Sequence, residues 1–241
     1  MNHDNQKQPA LANAQTHQVC AWAYDRQNSN RRPIFKMTQA ITHDHAHIRT
    51  ERQWQGVGEQ VVCQEKAVWT NRLTSVSSEM PFLAEQTHAE IKSDQCATWL
   101  KSHKTQHQQR EKSFILPHEP ITLATGPLMI AREWEALQNK QILMASFLVL
   151  KVQRAATVRI QCTKITASEC TISVTPTNVL LRAIFGSTLF VFEANSPRLL
   201  RVEGLLDPRD TKPNKRWREY MGSIEFESPF DLSALVKGKS V

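Results

Sequence analysis

The densest run of chemistry-bearing side chains in the sequence is THDHAH, Thr42–His47. On a strand His43, His45 and His47 point to one face, about 6.5–7 Å apart from one to the next. Two of them could share a transition-metal ion completed by a ligand from elsewhere, and this is the only specific chemistry the chain offers a metal-dependent enzyme. No cysteine or acidic partner stands at a diagnostic spacing, and the same six residues suit the tip of an exposed hairpin that touches no metal. His103 and His107, in HKTQHQQREK, would share a helix face at i, i+4. They lack the glutamate of a zinc-protease H-E-x-x-H, and the composition there suits a solvated loop.

Other catalytic patterns are missing. There is no G-x-S-x-G elbow and no cysteine in a family-type catalytic context. Gly56-Val57-Gly58 lacks the rest of a phosphate loop, and seven glycines in 241 residues leave little room for one. Glu133 and Glu135 fall on different faces of a helix, so they do not form an acid/base pair. Cys20, Cys63, Cys96, Cys162 and Cys170 are odd in number, widely spaced and without a C-x-x-C step, which suits small buried residues rather than a disulfide framework. In a hairpin turning near Ala167-Ser168, Cys170 would face position 165, so the sulfurs of Cys162 and Cys170 are not expected to be direct neighbours. The sequence favours a binding or structural module over an enzyme and requires no cofactor.

Thirty Lys and Arg against twenty-three Asp and Glu give a formal charge of +7, with a pI near 9.3. The excess concentrates between Arg198 and Arg218. In RDTKPNKRWREY the bases Arg209, Lys212, Lys215, Arg216 and Arg218 alternate with Trp217 and Tyr220. Bases interleaved with stacking aromatics suit nucleic acid or an acidic protein partner, while a basic loop feeding a strand is also ordinary solvated surface.

The elements that must position these residues read as mainly β. Residues 1–18 are polar and without periodicity, a flexible lead-in; 19–233 form a single β-rich domain, and 234–241 a flexible tail. Short bounded runs such as VCAWAYD, IFKMTQAITHDH and HIRTERQWQ have the aromatic and β-branched content of strands in hairpins. Ile142–Lys151 is apolar on both faces, as a central strand is. Its apolar core of nine residues, Ile142–Leu150, is far short of the roughly 17–25 that cross a bilayer as a helix. Two short helices interrupt the strands. Leu128, Ile130, Trp134 and Leu137 make a stripe at helical spacing. Leu180, Leu181, Ile184 and Phe185 follow a cap at Asn178 or Thr177 and stop at Gly186. Lining a concave sheet, these eight residues could enclose an apolar, lipid-like molecule; they would serve equally as ordinary core.

LLRVEGLLDPRD, Leu199–Asp210, reads as a strand with a bulge or close approach at Gly204 and a turn at Asp207-Pro208. Together with Trp134, Leu137 and the strand after them, Leu199-Leu200-Arg201, Glu203-Gly204-Leu205 and Arg209-Asp210 resemble a family of bacterial proteins without assigned activity. That resemblance implies a curved antiparallel sheet, or half-barrel, with two short helices packed on its concave side. It also implies export, and so a periplasmic or envelope-associated setting. The N-terminus, MNHDNQKQPALANAQTHQ, has no secretory leader pattern and by itself points to the cytoplasm. The function expected from the sequence is therefore non-enzymatic: binding an apolar small molecule, or serving as a structural or interaction module of the cell envelope. A basic binding module at residues 209–220 and a metal enzyme at residues 43–47 are the alternatives.

Overall fold

A computed structural model of the chain describes residues 15–27, 30–43, 46–56, 58–102, 108–211 and 217–233. Fifteen strands form one open, curved sheet. In chain order they are β1 Gln15–Asp25, β2 Pro33–His43, β3 Ile48–Gln55, β4 Val61–Trp69, β5 Leu73–Met80, β6 Glu85–Lys92, β7 Gln95–Ser102, β8 Gln108–Ile115 and β9 Pro120–Ile121. They continue with β10 Leu143–Val149, β11 Arg154–Ile165, β12 Glu169–Pro176, β13 Thr188–Glu193, β14 Arg198–Thr211 and β15 Trp217–Asp231. Strands consecutive in the chain pair with each other except β8 and β9, and β1 pairs with β15, so the two halves of the chain meet at one seam and β8 and β9 are the outer edges. All pairings are antiparallel except the two-residue β9–β10 ladder.

The strands form as the alternation predicts. Phe35, Met37, Gln39 and Ile41 face inward along β2, and Ile48, Thr50, Arg52 and Trp54 along β3. The sheet rolls so that β14 comes up against β4, and the 3-10 turn Leu150–Val152 against β6. Gln153, buried and in the left-handed region at φ +51°, ties the turn after β10 to the β7–β8 edge of the sheet. Its side-chain amide donates to the carbonyls of Thr98 (3.2 Å) and Arg110 (3.0 Å), in β7 and β8. At the β1–β15 seam Gly222 is required by close approach, because a Cβ there would lie 1.8 Å from the carbonyl oxygen of Tyr24.

The helices occupy opposite ends of the roll. Helix α1, Gly126–Arg132, starts with Pro127 in its first turn, where a missing N–H costs nothing. It passes through Glu133 into α2, Trp134–Gln138, so the single helix expected over 128–138 is two segments. Leu128, Ile130 and Leu137 are fully buried, and Trp134 meets Phe192 edge-on at 5.2 Å. Arg132 grips the Glu119 carboxylate with both terminal nitrogens (2.9 and 2.7 Å), donates to the Asn71 carbonyl (2.6 Å) and lies over Trp69. This unit plugs the end of the roll where β4 and β13 finish. Helix α3, Val179–Phe185, stands at the other end. Its cap is Asn178, whose Oδ1 accepts from the N–H groups of Leu180 (2.9 Å) and Leu181 (3.1 Å), and Gly186 ends it at φ +67°.

Several local expectations are corrected. β1 begins at Gln15, and pairing with β2 orders Gln15–Gln18, which composition alone assigns to the lead-in. β10 lies next to the sheet edge rather than at its centre; both its faces are apolar because it also lines the interior of the roll. β14 runs straight through Asp207-Pro208, where the turn was expected, and a register shift between Leu205 and Arg209 takes up the strain. Gly204, at φ +143°, is the close approach expected of it, since a Cβ would lie 3.2 Å from the Cα of Thr188. Cys170 does face Ile165, but a bulge after Cys162 brings the two sulfurs to 3.7 Å, diagonally across the hairpin. Burial and the Cys162 sulfur push the Cys170 thiol up to about 12, so it is a poor nucleophile.

Candidate functional site: a cavity at the open end of the roll

At the end away from the α1–α2 plug the roll encloses a cavity of about 1070 Å³. Its walls come from the last residues of β5, β7, β10 and β12 and the first of β4, β6 and β11, with α3 and the turn Leu150–Val152 at its edge. Most of the surface is aliphatic or aromatic, with Leu123, Phe147, Leu148, Val158, Val174 and Leu206 among the contributors.

One wall is polar. Arg52 on β3 is directly opposite Glu65 on β4, and Asp207 reaches Arg52 from the bulge in β14 across the roll. Arg52 pairs with Asp207 and lies 3.5 Å from Glu65, while the Thr122 hydroxyl donates to the other Glu65 oxygen at 2.7 Å. Arg52 and Glu65 are buried, whereas Asp207 keeps partial access to the cavity. Burial pushes the Glu65 carboxyl above its ordinary value; Arg52 pulls it back and Asp207 adds to the rise. Burial opposes the charge on Arg52, but the two carboxylates outweigh it and hold the guanidinium firmly protonated. Cys63, also on this wall, is pushed up to about 12 by burial and by the same carboxylates. A thiol so hard to ionise is not a nucleophile. The cluster ties β3, β4 and β14 together and gives the cavity a strip able to exchange hydrogen bonds.

The rim has the opposite character. Arg110, Lys112 and Arg154 are exposed there, Lys151 is half-buried, and Arg182 projects from α3; Glu85 is the acid among the cavity-lining residues at this edge.

The eight apolar candidates separate cleanly. Leu128, Ile130, Trp134 and Leu137 belong to the plug and do not line the cavity. Leu181 and Phe185, one helical turn apart, face into it from α3, and Leu180 and Ile184 face solvent. Of the basic candidates, Lys212, Lys215 and Arg216 lie outside the described residues; the backbones of Arg209 and Arg218 sit on β14 and β15, paired with Glu219 and Asp210. His43 closes β2, His47 precedes β3 and His45 lies outside the described residues. Among the described residues no group of three or more His, Cys, Asp or Glu side chains is placed to hold a metal ion, and no helix is long and apolar enough to cross a membrane.

The Arg52–Glu65–Asp207 cluster escaped the sequence reading. Two of its three members left a signal: in I-R-T-E-R-Q-W and C-Q-E-K-A-V-W a charged residue occupies the inward phase of an alternating strand. The third member is presented by a bulge, which leaves no periodic trace.

No protein-family model, no curated protein and no solved structure matches this chain.

Proposed function

We propose that the protein binds an anionic amphiphile, its hydrocarbon portion in the cavity and its charged group at the rim. The observation that carries this is a predominantly apolar cavity of about 1070 Å³, at the upper end of the roughly 300–1,000 Å³ typical of small-molecule sites. Its depth suits a flexible chain, since Leu123, Phe147, Val158 and Val174 offer contact without directional demands. Each buried methylene is worth about 0.8 kcal/mol, so a chain of moderate length suffices for tight binding. Arg110, Lys112 and Arg154 supply charge for a carboxylate or phosphate, and the Glu65–Asp207 wall can accept hydrogen bonds from a ligand hydroxyl.

Titration with dansyl-labelled undecanoic acid tests this. The expected result is a blue-shifted, saturable emission that oleate displaces. Ala156 pairs with Phe147 and shares the inward phase of Val158, so Ala156→Trp fills the space and lowers probe affinity by roughly tenfold or more while the fold persists. An absence of saturable emission with the wild-type protein, or an Ala156→Trp variant that binds as well, rejects the proposal.

A further inference from the structure

We infer that α3 docks the protein on an anionic bilayer, inserting its outer face into the lipid and setting the cavity mouth against the surface. The inference rests on the amphiphile reading only for its purpose; the docking itself follows from separate residues. Val179, Leu180 and Ile184 are 65%, 73% and 69% exposed, the highest values among the large exposed hydrophobics of the described residues apart from that of Ile115. They sit on a helix with no buried residue. A helix apolar on nearly every side, Arg182 being its one charge, is ordinarily buried in a core or in lipid. Here the inner side, Leu181 and Phe185, meets the cavity, and the outer side has no protein against it among the described residues.

Both ends of the helix are closed. Asn178 caps it, and Gly186 closes it with an N–H bond to the Arg182 carbonyl at 2.9 Å. The apolar tip is thus presented by fixed geometry rather than by a frayed end. Val152, 49% exposed in the neighbouring turn, adds a second apolar point on the same rim.

Charge selects the occupant. Arg182 lies between Leu181 and Ala183 on the helix, and Arg110, Lys112, Lys151 and Arg154 line the same rim. Aliphatic side chains surrounded by cations form the pattern of interfacial insertion into anionic lipid, where each base near the surface adds attraction. An apolar partner protein would gain nothing from these bases, and a second copy of this chain would set like charges against each other.

Flotation on vesicles, run beside the dansyl-probe titration, tests the inference. Wild-type protein is expected to float with phosphatidylcholine vesicles containing phosphatidylglycerol, more weakly with pure phosphatidylcholine, and less as salt is raised. The double variant Leu180→Ser/Ile184→Ser is expected to lose roughly tenfold or more in vesicle partitioning while taking up the dansyl probe from solution unchanged. Conversely, Ala156→Trp is expected to float normally and to lose the probe, so failure of the cavity reading and failure of docking give different results. Docking is overturned if the wild-type protein stays with the soluble fraction, if the double variant floats equally, or if binding to neutral and anionic vesicles is the same. It is also overturned if sedimentation shows a dimer that the double variant abolishes, because the apolar face is then an interface between copies.

Discussion

The α1–α2 segment and α3 are both short apolar helices on one rolled sheet, yet the first buries Leu128, Ile130 and Leu137 completely while α3 has no buried residue. What separates them is anchorage. The plug is bolted to the sheet by the Arg132–Glu119 fork and by Trp134 against Phe192, whereas α3 is capped within itself and meets the sheet through β12. One end of the roll is consequently a core and the other an opening. Apolar content alone does not distinguish a residue that stabilises the fold from one that meets a ligand.

The sharpest way to break this comparison is Trp134→Ala. If the plug is core, truncation destabilises the protein by about 3–5 kcal/mol in chemical denaturation. Probe affinity, measured where the variant is still folded, should not change, because Trp134 does not line the cavity. A Trp134→Ala protein of normal stability that no longer takes up probe would reverse the assignment of the two helices.

Much of the fold was legible because its determinants are local. Alternation in β2 and β3, the Asn178 cap and the Gly186 stop are each settled within a few residues. Which end of the roll a helix occupies is a long-range outcome and left no trace in Leu180 or Ile130. The cavity was legible in kind, through Leu181 and Phe185, but the rim was not. Arg110, Lys112 and Arg154 come from two strands far apart in sequence that only the rolling of the sheet unites. Bulges account for two further differences: one places Asp207 beside Arg52, and another brings the Cys162 and Cys170 sulfurs together.

The polar wall offers a second test, because the plug contains no comparable buried acid. Glu65 has its carboxyl held above the ordinary glutamate value in the folded protein, chiefly by burial. As pH rises from that ordinary value toward the folded one, the unfolded chain loses its proton first. Stability is therefore fully present below the interval and declines across it. The wild-type denaturation midpoint should fall over this window, and Glu65→Gln should flatten the decline. Arg52→Leu should steepen it, since it leaves two carboxylates without their cation, and should cost about 3–5 kcal/mol at neutral pH. An identical pH profile in wild type and Glu65→Gln would mean that the carboxylate is better solvated than its burial implies.

The smallest stability effect belongs to the open end and is informative for that reason. Phe185 is half-buried and faces the cavity from a helix without a buried residue, so Phe185→Ala should lower stability by less than about 1 kcal/mol. In the dansyl titration the same substitution removes an aromatic wall at the mouth, and probe affinity should fall several-fold. Trp134→Ala and Phe185→Ala thus form a crossed pair, one moving stability without uptake and the other uptake without stability. If Phe185→Ala instead destabilised the protein as much as the plug variant, α3 would be integral to the core. The mouth would then have to open by displacing the helix rather than past its side chains.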